Sequence, residues 1–63
     1  MTRFEAARIR EQMLEVKVWI EHFQADADAG LVPSKSCLIA AHAHAENAMA
    51  LLDRVATEQK ETA

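Results

Sequence analysis

Three histidines and one cysteine are the side chains of this 63-residue sequence best suited to hold a metal or attack a substrate, and their spacing favours neither. His42 and His44 stand two positions apart, which on a helix turning about 100° per residue points them roughly 160° away from each other, so they cannot grip one ion together. His42 and Glu46, at i and i+4, share a face and make half of a site. Zinc asks for three or four ligands, and no second pair is placed to converge with them, since His22 belongs to the far half of an earlier segment. The expectation is that no metal or other cofactor is held, and that these histidines border a helix seam or face water. Cys37 falls in the first turn of a helical segment, a position that can activate a thiol. No His or acid is placed in the sequence to act as its base, so it reads as a small apolar packing residue. A glycine-rich phosphate loop, a paired-acid motif and a nucleophile elbow are all missing. With one glycine and almost no loop, there is little from which to build a concave catalytic site, and no catalytic residue is expected.

Arg3, Arg10 and Lys17 recur every seven residues and form a basic strip down one side of the first helical segment. That is the pattern here with the best claim to touch RNA phosphates. Glu21 continues the same strip, and the chain as a whole carries 7 basic and 10 acidic side chains for a formal charge of −3. This balance argues against strong non-specific phosphate binding. The solvated flank of a helical interface accounts for the strip equally well.

The elements that would carry these residues are two helices and a turn. Thr2 followed by Glu5 has the spacing of a capping box, and no Pro or Gly interrupts the chain before Gly30. Helix 1 is therefore expected over about residues 3–28. Gly30 suits the left-handed position that ends a helix, Pro33 pushes Val32 out of helical geometry, and Ser34 suits a cap. These place a turn over 29–33, helix 2 over about 34–58 and a loose polar tail over 59–63. So short a turn forces the helices antiparallel. The fold class is all-α, a single helical-hairpin domain suited to join a four-helix bundle or a helical partner.

Two apolar rows run along helix 1. Ala6, Ile9, Met13, Val16, Ile20, Phe23 and Ala27 follow an unbroken three-four alternation. Helix 2 answers with Leu38, Ala41, Ala45, Ala48, Leu52 and Val55, an alanine-rich row into which Trp19, Ile20 and Phe23 can pack. The second stripe, Phe4, Ala7, Leu14, Val18 and Ala25, lies elsewhere on helix 1 and has no partner within the chain. It is the candidate partner-binding face. A domain this small buries only about 60% of its unfolded surface, and a lone cysteine cannot form an internal disulfide, which leaves association as the route to stability. The partner is then a second copy, giving a homodimer, or a different protein. The function expected is that of a small protein-binding module, acting as chaperone, adaptor, regulator or inhibitor. One cysteine, no signal-peptide pattern and no run of about 18 apolar residues suggest a cytoplasmic chain with no membrane and no small-molecule substrate.

Three segments carry a resemblance to the small YscE-type co-chaperones of type III secretion needle subunits. These are the opening Met1-Thr2-Arg3-Phe4-Glu5, the turn Gly30-Leu31-Val32-Pro33, and Ala45-Glu46-Asn47-Ala48-Met49-Ala50-Leu51-Leu52. The resemblance implies a helical hairpin that pairs with a helical-repeat chaperone and keeps an aggregation-prone subunit from polymerising early. Chain length, hairpin form and the segment His42-Ala43-His44-Ala45 also resemble the Rop-type plasmid copy-number regulators. That likeness implies a dimeric four-helix bundle binding paired RNA loops through helix 1, where Arg3 and Arg10 would lie. Leu14, Val18 and Ala25 then stand where the family has polar and aromatic groups.

Overall fold

The computed structural model describes residues 1–62, with side chains through residue 58. Two helices make up the fold, α1 (Arg3–Asp28) and α2 (Lys35–Thr62). They lie antiparallel in a single layer measuring 53 × 18 × 10 Å.

Each helix boundary has a local cause. At the start of α1, the Thr2 hydroxyl accepts from the Glu5 N–H at 3.1 Å, and the Glu5 carboxylate accepts from the Thr2 N–H at 2.8 Å. Two amides that the helix itself cannot satisfy are thereby bonded. At the other end Gly30 takes φ +77. That conformation lets the Leu31 N–H reach the Asp26 carbonyl at 2.9 Å and the Gly30 N–H reach Ala27 at 3.1 Å, the paired bonds of a Schellman stop. Ser34 opens α2, its hydroxyl accepting from the Ser36 N–H at 3.2 Å and bonded also to the Ser36 hydroxyl.

The expected extent of α1 matches the structure, while α2 runs on to Thr62 instead of ending near residue 58. Polarity was the reason to expect a loose tail over 59–63, but Glu, Gln and Lys are good helix formers and nothing there breaks the backbone. Thr57 also fits the helix, its hydroxyl donating to the Asp53 carbonyl at 2.9 Å. Residue 63 lies outside the described residues.

The seam is turned from the rows expected to form it. On α1 it follows Glu5, Ile9, Gln12, Val16 and Trp19, and on α2 Cys37, Ala41, His44, Ala48, Leu51 and Val55. Ile9, Val16, Ala41, Ala45, Ala48 and Val55 were expected inside and are at least half-buried, but Met13, Ile20, Leu38 and Leu52 are between 50 and 60% exposed. Each helix is rotated by roughly 50° relative to the expected contact, counting about 100° per residue. The rotation brings Gln12 and His44 into the contact line, where they hydrogen-bond. Two helices alone touch along a line, and an apolar row wider than that line must leave one edge in water. Among the described residues only Cys37 and Val55 are buried.

Candidate protein-binding faces

Phe4, Leu14 and Val18 lie on α1 away from the seam and are 73, 44 and 43% exposed. Ala7 and Ala25 on the same stripe are exposed as well. By helical rotation these five positions fall within about 80° of one another, so they form one surface. A shallow depression at its C-terminal part is lined by Val18, Glu21, His22 and Ala25. The His22 ring is 5.5 Å from Trp19, which ties this end of the stripe to the aromatic side chain in the seam.

Arg3, Arg10 and Lys17 are all exposed. Lys17 reaches Glu21 at 4.0 Å, so the basic strip passes into an acidic one within a single turn. A pair this exposed contributes little to stability, but it marks where this one strip of α1 changes from basic to acidic.

His42 is exposed and faces Glu46 at 3.4 Å, the half-site read from the spacing. Among the described residues no three His, Cys, Asp or Glu side chains gather where a metal ion could sit. His44 behaves differently. Its Nδ1 is 2.7 Å from Gln12 Oε1, its Nε2 is 3.9 Å from Glu15 Oε2, and Asn47 Nδ2 donates to the same Gln12 oxygen at 3.4 Å. These four side chains form a polar layer across the middle of the hairpin. A slip of one helix along the other would strip half-buried polar atoms of their partners, so the layer fixes how the helices align.

Sequence reasoning missed this layer, since Gln12 and His44 each stand one position away from an apolar row. It also missed a second, broader exposed face. Followed from N- to C-terminus, a turn in the same sense about two antiparallel helices swings side chains to the same side of the pair. This rotation therefore brings Met13 and Ile20 of α1 beside Leu38, Met49 and Leu52 of α2, all between 50 and 60% exposed. The other side of the hairpin is marked by a cleft where Arg8 and Gln12 meet Asn47, Ala50, Leu51 and Arg54.

Among the described residues, no helix is long and apolar enough to cross a membrane. Compared with known proteins, the chain matches no family model, no curated protein and no solved structure.

Proposed function

We propose that this chain is a non-catalytic protein-binding module, acting as chaperone, adaptor or inhibitor by burying an apolar helix face against a protein partner. The supporting observation is the exposure of Phe4, Leu14 and Val18 in line on the side of α1 that α2 does not cover. Burial of such surface is worth about 25 cal/mol per Å², part of which is offset by the entropy lost on association. Phe4 is the largest contributor because an aromatic side chain removes the most area from water. A partner helix laid along the stripe, with anchors spaced at three and four residues, fits its shape. A role in holding an aggregation-prone helical client, of the kind the YscE-type resemblance implies, is one form of this activity.

The test is affinity capture with the intact chain and with Leu14→Asp and Val18→Asp. Both positions are exposed, so the variants keep the helical content of the parent by circular dichroism. A partner protein captured by the parent, retained after nuclease treatment and lost from both variants supports the reading. Capture that is indifferent to both substitutions, or that disappears with nuclease, overturns it. The second of those outcomes would turn attention to Arg3, Arg10 and Lys17 and to an RNA whose affinity falls as salt is added.

A further inference from the structure

We infer that the broad face formed by Met13, Ile20, Leu38, Met49 and Leu52 is covered by a second copy of this chain, set antiparallel to the first about a two-fold axis perpendicular to the helices. The inference rests on the reading that this hairpin works by having apolar faces covered by protein, and it names the occupant of one of them.

Area is the first argument. A compact protein of 7.0 kDa exposes about 4,000 Å², whereas this chain exposes 5136 Å². The excess, roughly 1,100 Å², is close to the share of about 800 Å² that each partner contributes to a standard stable interface. The radius of gyration agrees, at 15.2 Å against about 11 Å for a compact chain of this length. A helix layer one element thick has no interior, and two layers face to face are the smallest arrangement that has one.

Charge is the second argument, and it sets the orientation. Along the outer edge of α1 the sequence runs from Arg3, Arg10 and Lys17 to Glu21 and Asp28, and along that of α2 from Lys35 to Glu46 and Asp53. Arg3 and Asp28 are equidistant from a point between Glu15 and Val16, and so are Arg10 and Glu21. Lys35 and Asp53 are equidistant from His44, and so are His42 and Glu46. The polar layer places those two centres at one level, since His44 meets Glu15 and Asn47 meets Gln12. One axis through that level therefore sets Arg3 against Asp28 and Arg10 against Glu21 of the second copy. It also sets Lys35 against Asp53 and brings the His42 ring level with Glu46. An axis parallel to the helices would instead pair α1 with α2 of the other copy. It would offset these charges by about a turn.

Packing agrees with the same axis. Met13 and Ile20 bracket its level on α1, and Leu38 and Met49 bracket it on α2, so large side chains from both copies interleave on either side. Ala45 beside them lets the two layers approach closely. The Phe4, Leu14 and Val18 stripe lies outside this interface and stays open to a further partner.

Light scattering or sedimentation equilibrium on the intact chain reads the result. The expected mass is twice 7.0 kDa at micromolar concentration, and a helical monomer there overturns the proposal. Ile20→Asp and Met49→Asp are expected to raise the dimer dissociation constant by a factor on the order of 100, since each would bury an unpaired charge. An unchanged constant means that another face is used. Because a dissociated hairpin can lose structure, the orientation is tested with exposed charges instead. Arg10→Glu and Glu21→Arg are each expected to weaken the dimer roughly tenfold at low salt, and mixing the two variants restores it as a heterodimer, because both cross-copy pairs again become opposite in sign. Failure of the mixture to recover overturns the perpendicular axis. If the parent is a monomer yet still captures a client through Leu14 and Val18, this inference falls and the proposed function stands.

Discussion

Gly30 shows how much of this molecule is decided by single residues. Its φ of +77 is in the left-handed region, and a Cβ built on it would meet nothing within 4 Å. Replacement by alanine therefore costs backbone strain alone, about 1–2 kcal/mol, with no added clash. Gly30→Ala is expected to lower the melting temperature by several degrees, on the scale of 4–8 °C per kcal/mol for so small a domain. A Tm equal to the parent's would mean that the Schellman stop contributes nothing. At the opposite end of α1, the bond from the Thr2 N–H, followed by the bond to its hydroxyl, holds the Glu5 carboxyl below the usual carboxylate range. A depressed folded pKa stabilises the fold fully above the group's ordinary value, and that contribution is lost as pH falls through the folded value. Helicity on acidification is accordingly expected to show a low-pH step that Glu5→Gln lacks. An identical titration of the two proteins counts against the capping box as its source.

At the scale of the helices, the sequence was a good guide wherever a few adjacent residues decide the outcome. Thr2 with Glu5 and Gly30 with Pro33 mark the ends of α1 and the turn because caps and stops are closed by bonds within one helical turn. The facing of the helices was harder to read. The rows containing Met13, Ile20, Leu38 and Leu52 are the most regular apolar patterns in the chain, and periodicity tells that such a row seeks cover without telling which neighbour supplies it. The Phe4, Leu14 and Val18 stripe was legible for the same reason, as an apolar line with no place inside the hairpin. What turns the seam away from the regular rows is the pairing of Gln12 with His44, thirty-two positions apart in sequence and 2.7 Å apart in space, which no local pattern announces. A double-mutant cycle of Gln12→Ala and His44→Ala measures this pairing directly. A coupling of about 0.5–1.5 kcal/mol is expected for a half-buried hydrogen bond, with each single variant less stable than the parent. Additive effects would show that the polar layer does not set the alignment.

At the scale of the whole molecule, the balance between area and entropy favours a chain that does not stand alone. A hairpin with two buried side chains among the described residues gains little from burial, while ordering each residue of a chain costs on the order of 1–2 kcal/mol. Much of the exposed apolar surface of the helices is laid out on two faces, one spread over both helices and one confined to α1, so covering the first does not consume the second. Association and folding then become one equilibrium, in which whatever binds only the folded form adds stability in proportion to the logarithm of its concentration. For a chain covered by its own second copy, the ligand is the protein itself. The melting temperature of the purified chain is thus expected to rise steadily with its concentration over two or three orders of magnitude, by several degrees in total given the small entropy of unfolding of so short a chain. Ile20→Asp is expected to flatten that dependence, and Leu14→Asp, on the other face, to leave it intact. A melting temperature independent of concentration in the parent would place the stability within the single hairpin, and the exposed face over Met13 and Leu38 would lose its physical reason for taking a second copy.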